Sequence, residues 1–392
     1  VITEGCAIPG IGATRFSSSS GRTALALAAE AAQAALADAG LAAAEIDGIV
    51  RCTDDVVLHN DLIETLGLPN VRFWAHGGLG GTAPSAMIGY AANAIRAGRA
   101  STVLAYRSLN GRSGRRMGSG YGCADPLSAG GEINGRFDEY FIPYGLTTPG
   151  QMYALIARRH MHEFGTTREQ LGEIALACRR RANTNSAAQM CERTMTMADY
   201  LGARQISSPL GLFDYCLESD GACAVIVTST ERARDLPHPP AVVAAVEQGG
   251  AAGVQAGRTL SALMRKEPLT FPSAVVADNL YRRAGLGPSD VDVAQFYDCF
   301  TITVLIQLED YGFCKKGEGG PFAASGVLET TLPINTAGGH LSEAYIHGMN
   351  HIVEGVRQIR GTSTGQVDNA EVCLVTSGAP PATSALILTG DR

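Results

Sequence analysis

No apolar run in this 392-residue chain reaches the length of about 18–20 residues that a membrane-spanning helix requires. Basic residues are not in excess. Thirty-one Lys and Arg stand against 38 Asp and Glu, for a formal net charge of −7. Nothing here neutralises a phosphate backbone, so nucleic-acid binding is set aside. The ten cysteines contain no CxxC pair and are scattered singly through a long acidic chain. That is far below the density of a disulfide-stapled secreted domain, and they are read as reduced thiols with no metal site. Val1-Ile2-Thr3 is not followed by a basic and then an apolar region, so no secretory leader is expected, and a soluble cytoplasmic protein is.

What is present is a globular composition, 45% hydrophobic and 18% charged, long enough for two or three core-forming units. The chain is written twice. A strand from Cys6 to Gly10 precedes an Ala- and Leu-rich helix from Arg22 to Ala39, then Gly40-Leu41, Glu45-Ile46-Asp47 and a strand through Val50. An apolar helix from Ser273 to Arg283 precedes Gly285-Leu286, Asp290-Val291-Asp292 and a strand through Phe296. Gly40 leads Asp47 by the same interval as Gly285 leads Asp292. Downstream, Gly80-Gly81 opens a helix ending at Arg96-Ala97-Gly98-Arg99, before a strand from Thr102 to Tyr106. Gly338-Gly339 opens a helix ending near Arg360-Gly361, before a strand from Glu371 to Val375. Two matching blocks in the same order indicate an internal duplication of an α/β unit.

Between the copies lies an insertion, from about Leu109 to Pro240. It holds a Gly- and Ser-rich stretch (Gly111 to Gly122), a helical region from Met152 to Asn183 and the basic run Arg179-Arg180-Arg181. With Arg158 and Arg159, that run reads either as a contact for an anionic ligand or as a solvated helix face. His347 and His351 stand at i, i+4, a zinc-compatible spacing, but no HExxH glutamate accompanies them and no metal is expected.

A duplicated α/β unit with a large insertion resembles the thiolase superfamily, over nearly the whole chain. The insertion resembles the sterol-carrier-type branch through Tyr153-Ala154-Leu155, Arg158-Arg159-His160-Met161-His162, Gly165-Thr166-Thr167-Arg168, Pro209-Leu210 and Ser219-Asp220-Gly221-Ala222. The resemblance implies an α/β thiolase fold, with duplicated βαβαβαββ halves in a layered αβαβα arrangement and an inserted loop domain. Residues 1–108 are the first part of the N-terminal half. Residues 109–240 are the insertion and the return to the first sheet, and 241–392 the C-terminal half.

The catalytic motifs depart from thiolases at four places. The nucleophilic cysteine, which belongs at a helix N-terminus where its thiol is acidified, is Gly81, followed by Thr82-Ala83-Pro84-Ser85. Phe296-Tyr297-Asp298-Cys299-Phe300 puts Tyr297 in the Asn/His place. Gly338-Gly339-His340-Leu341-Ser342-Glu343-Ala344-Tyr345 puts Tyr345 on the activating histidine, and Thr376-Ser377-Gly378 puts Ser377 on the second cysteine. Without a thiolate no acyl-enzyme forms, so the chain is not a thiolase. The pattern resembles the thiolase-fold aldolases of steroid side-chain degradation, the lipid-transfer-protein type, which cleave a β-hydroxyacyl-CoA by retro-aldol chemistry. That resemblance implies a steroid 17-hydroxy-C22-oyl-CoA cleaved to a ketone and propionyl-CoA. It implies no bound cofactor, with the coenzyme A thioester as substrate, and a small OB-fold/zinc-ribbon partner on a homodimer core, giving a heterotetramer. Tyr297 and Tyr345 would serve as base and acid, tuned by Asp298 or His340. Backbone N–H groups near Gly81 and Gly378, beside Ser377, would hold the thioester oxygen. The alternatives are a non-catalytic acyl-CoA- or lipid-binding protein, an aldolase or thiolase of aromatic acyl-CoA esters, and a degenerate thiolase using Cys299.

Overall fold

The computed structural model describes residues 4–114, 116, 142–250, 266–378 and 382–391. Most of the Gly111 to Gly122 stretch therefore lies outside the described residues. In the first half, β1 (Cys6–Ala13), α1 (Ala24–Ala39), β2 (Gly48–Arg51), β3 (Phe73–His76), α2 (Ala83–Arg96) and β4 (Thr102–Asn110) follow one another. After α3 (Pro149–Phe164), α4 (Arg168–Asn183) and a small ribbon of β5 (Gln205–Ser207) and β6 (Leu210–Gly211), β7 (Asp220–Ser229) returns to the first sheet. The second half contains β8 (Ala241–Gly250), α5 (Ser273–Ala284), β9 (Val293–Gln295), α6 (Thr301–Asp310), α7 (Gly339–Ser342), α8 (Met349–Arg360), β10 (Val372–Ser377) and β11 (Ala382–Thr389).

The strand order is β3-β2-β4-β7-β1-β8-β11-β10-β9. About the short β1–β8 pairing, this order reads the same outward in both directions. β1–β7 and β8–β11 are antiparallel, as are β4–β7 and β10–β11, whereas β2–β4 and β9–β10 are parallel. Even the outermost pairing repeats: β3 runs parallel to β2, and Ile334 makes a single parallel bridge to Ala294. The two glycine–aspartate intervals have a mechanical cause. Gly40 and Gly285 end their helices in the left-handed region, at φ 65° and 67°. Asp47 accepts the backbone N–H groups of Ser101 and Thr102, and Asp292 those of Glu371 and Val372. Each aspartate thus ties the start of one parallel strand to its neighbour.

Helices α2 and α8 pack between the two sheet halves, while α1 covers the outer face of the first and α5 that of the second. The result is the expected layered α/β arrangement. β7 and β10 are covered on both faces, which accounts for their near-continuous apolar runs. The insertion lies over the second half, where α4 packs on α6 and α7. Its expected single helical region is two helices. Gly165 at φ 73° ends the first, and Thr167 caps the second by accepting the Gln170 N–H while the Gln170 side chain accepts that of Thr167.

The helix expected from Gly338-Gly339 to Arg360 is also broken. One helix stops at Ser342, and after the left-handed residues His347 (φ 54°) and Gly348 (φ 98°) α8 starts afresh at Met349. His347 and His351 therefore do not share a helical face. The loop between these helices carries Tyr345 inward.

Candidate active site

Gly81 sits in the tight turn ahead of α2, against the phenol of Tyr297. A Cβ at Gly81 would lie 1.9 Å from Tyr297 Oη and 2.2 Å from Cζ. A tyrosine ring thus fills the space that a side chain at Gly81 would need. Tyr297 follows β9; Thr376 Oγ1 accepts its backbone N–H at 2.8 Å, and Gln307 donates to its carbonyl at 2.8 Å. Tyr345 reaches the same point from the broken helix, its N–H donating to Ser219 Oγ at 3.0 Å. The two phenol oxygens lie 2.6 Å apart, both rings buried.

His340 stands edge-on to both phenols, with ring centroids 4.9 Å from each. Behind it is Asp298, fully buried. Its Oδ1 accepts His351 Nε2 at 3.0 Å and the His340 N–H at 2.9 Å, and its Oδ2 accepts the Leu341 N–H at 3.2 Å. His340 Nδ1 is 3.1 Å from Asp298 Oδ1, without hydrogen-bond alignment. The residues singled out by the resemblance lie together: Tyr297, Tyr345, Asp298 and His340 form one buried cluster. Ser377 does something local. Its hydroxyl lies 2.8 Å from Ser85 Oγ and accepts the Ser85 N–H at 3.1 Å, tying β10 to the start of α2. Gly378 (φ 87°) packs against the same turn, where a Cβ would meet Thr82 Cγ2 at 2.9 Å.

The electrostatics divide the cluster. Burial pushes both phenols well above their usual range. For Tyr297 the neighbouring Tyr345 adds to the rise. For Tyr345, Cys216 and Cys299 add to it, whereas the hydrogen bond from Tyr297 and the charge of Arg107 oppose it. Burial alone would raise Asp298, but His340, His351 and the His340 backbone N–H outweigh it and hold the carboxyl at about 2. Burial, followed by His351, keeps His340 neutral. Cys299 is buried and its thiol is pushed up to about 12, which removes it as a nucleophile at neutral pH.

A second polar cluster flanks Tyr345. Arg107, fully buried on β4, pairs with Asp54 and Asp55 at 3.2 Å each. It also donates to His347 Nδ1, from Nη2 at 2.8 Å and from Nε at 3.1 Å. Local patterns in the sequence give no sign of this group, since Arg107 and its partners are 52 to 240 residues apart. Two sets of three donors come together, Cys52-Asp54-His347 and Asp298-His340-His351. Neither suits a cation. A guanidinium occupies the first, and the Asp298 oxygens of the second are already filled by three donors. The five arginines considered as anion contacts are engaged with protein groups: Arg158 with Ser208, Arg159 with Glu163, Arg179 with Ser342, and Arg180 and Arg181 with Glu329. Of the ten cysteines, the nine among the described residues are unpaired.

Residues 255–389 match the thiolase C-terminal domain-like family. The whole chain is 44% identical, over 399 aligned residues and 100% of both chains, to a steroid side-chain-cleaving aldolase of Thermomonospora curvata. It is 43% identical over 385 residues, 97% of this chain and 98% of the other, to a 17-hydroxy-3-oxo-4-pregnene-20-carboxyl-CoA lyase of Mycobacterium tuberculosis. A solved Ltp2-ChsH2(DUF35) aldolase superimposes with a TM-score of 0.92 at 42% identity, covering 100% of this chain and 99% of that one.

Proposed function

The chain belongs to the steroid side-chain-cleaving aldolases of the thiolase fold, and from that premise we propose that its two buried tyrosines carry out a retro-aldol cleavage. The enzyme is a carbon–carbon lyase acting on a CoA thioester. The substrate is a steroid 17-hydroxy-C22-oyl-CoA. One phenolate takes the proton of the 17-hydroxyl. The carbonyl forms as the C17–C20 bond breaks, and its electron pair passes into the thioester as an enolate. The other phenol protonates C20, giving a 17-ketone and propionyl-CoA. No covalent enzyme intermediate is needed, which is consistent with Gly81 in place of cysteine.

The observation that carries this reading is the pair of phenol oxygens 2.6 Å apart in the space a nucleophile would occupy. Tyr345 is the base, because the hydrogen bond from Tyr297 and the charge of Arg107 both favour its phenolate; Tyr297 is the proton donor. Backbone N–H groups near Gly81 and Gly378 hold the enolate oxygen. His340 and Asp298 keep the rings in place and the site polarised.

No helix among the described residues is long and apolar enough to cross a membrane. The protein works with a small OB-fold/zinc-ribbon subunit, a proposal supported by the two-component Ltp2-ChsH2(DUF35) aldolase. Two copies pair along β3, the outermost strand on its side of the sheet. There Trp74 stacks on His59 at 4.6 Å beside exposed Val56, Leu58 and Leu79. The test of the chemistry is cleavage of the steroid thioester by the chain with its partner, followed by mass spectrometry. Propionyl-CoA and ketone should appear with the wild type and fall by a factor of about 10² or more in Tyr345→Phe. Undiminished turnover in Tyr345→Phe would end the tyrosine mechanism.

A further inference from the structure

Beyond the tyrosine pair lies the group centred on Arg107, a charge buried without an evident structural need. A buried ion pair is seldom worth its desolvation unless it does something else. Arg107 can only donate, and two of its N–H groups aim at His347 Nδ1. That nitrogen is therefore an acceptor, and the imidazole proton sits on Nε2. His347 holds this orientation in a left-handed backbone conformation (φ 54°) that a non-glycine residue rarely adopts. Its ring stands edge-on to Tyr345, centroids 5.0 Å apart. On the other side, Asp54 both pairs with Arg107 and accepts the Gly80 N–H at 3.0 Å, next to the glycine that abuts Tyr297. One connected chain thus links the turn at Gly81 to Tyr345.

We infer that Asp54, Arg107 and His347 form a positioning assembly that fixes the place of Tyr345 and sets its proton affinity, with the guanidinium favouring the phenolate and Asp54 moderating that charge. The inference rests on the tyrosine-base reading above and adds the residues that tune it. The groups facing Tyr345 are Tyr297, His340, His347, Cys216 and Cys299, with Arg107 behind His347. Those facing Arg107 are Asp54, Asp55, Cys52 and His347. Apart from this assembly, the ionisable neighbours of Tyr345 are groups that burial keeps neutral, so Arg107 is the fixed positive charge in the set.

Signs follow directly. Removing a cation near a phenol raises its pKa, and removing an anion that partly neutralises that cation lowers it. The experiment replaces Tyr345 by 3,5-difluorotyrosine, whose more acidic phenol titrates in an accessible range, and follows it by 19F NMR in the enzyme with its partner subunit. Arg107→Gln should move the titration to higher pH by about one unit. Asp54→Asn, which keeps an oxygen for the Gly80 N–H, should move it to lower pH by a smaller amount. Arg107→Lys, which keeps the positive charge, should reverse most of the Arg107→Gln shift. A role confined to the framework would lower thermal stability without moving the phenol in opposite directions. A titration unmoved by Asp54→Asn, or moved the same way by both variants, would overturn the inference. Should Arg107→Gln not fold, Asp54→Asn decides alone. Since the readout is protonation and not turnover, it stands apart from the base assignment, which fails instead if Tyr345→Phe remains fully active.

Discussion

Replacing Gly81 with alanine tests the claim that a tyrosine has taken the nucleophile's space. Gly81 has an ordinary backbone conformation and is absent from the left-handed glycines, so alanine carries no φ penalty there. The whole effect must come from the 1.9 Å and 2.2 Å approaches to Tyr297 Oη and Cζ. The ring cannot swing aside freely, since it is held edge-on by His340 and by the bond to Tyr345. Overpacking costs about 1–3 kcal/mol, and the displaced phenol pair forfeits a further ~1 kcal/mol. For a chain of this length, about 2–4 kcal/mol corresponds to a fall in Tm of about 3–5 °C. Turnover should drop by a factor of about 10² or more, because the phenols leave their working geometry. In a Tyr297→Ala background the same Gly81→Ala change should cost under about 1 kcal/mol, so a thermal double-mutant cycle isolates the contact. Wild-type Tm and wild-type turnover in Gly81→Ala would refute the reasoning.

Two predictions concern pH. Asp298 is held at about 2 by its histidines and backbone donors, below its unfolded value, so it contributes stability above about pH 4 that is lost as pH falls toward 2. Asp298→Asn should therefore cost about 2 kcal/mol at pH 7, and chemical denaturation should show the gap narrowing below pH 4. Glu343 runs the other way. Burial pushes its carboxyl up to about 8, with Asn350 opposing and Glu354 adding. Its protonated form is favoured in the fold, and stability is lost as pH rises from about 4.5 through 8. An amide mimics that protonated form, so Glu343→Gln should raise Tm more at pH 8 than at pH 5. Equal Tm changes at the two pH values would contradict it. For the β3 edge, Trp74→Glu should shift light-scattering mass from dimer to monomer, and an unchanged dimer would place the interface elsewhere.

Much of the fold was legible because its signals are local. The Gly40–Asp47 and Gly285–Asp292 intervals reflect a helix stop and a strand clamp, both encoded within a few residues. The breaks were harder. Left-handed backbone at Gly165 ends one helix, and at His347–Gly348 it precedes the fresh start of another, and neither break interrupts the helical reading of the sequence. In the site, the four substituted motif positions stood out because the chemistry of each is distinctive. Their geometry was not legible: that Tyr297 fills the Gly81 space depends on a contact across 216 residues of chain. His351 behind Asp298, and Arg107 with its carboxylates, have no local signature, because the partners stand about 50 residues apart in the chain and meet only when the elements of one half pack together.

The central claim is that the tyrosine pair breaks the C17–C20 bond and returns a proton to carbon. The most direct measurement runs the steroid thioester with the complete enzyme in D2O and weighs the propionyl-CoA formed. A single solvent deuterium at C2 of the propionyl group, formed together with the 17-ketone and lost with Tyr345→Phe, is the predicted result. Propionyl-CoA without deuterium, or cleavage that persists in Tyr345→Phe, would contradict the account.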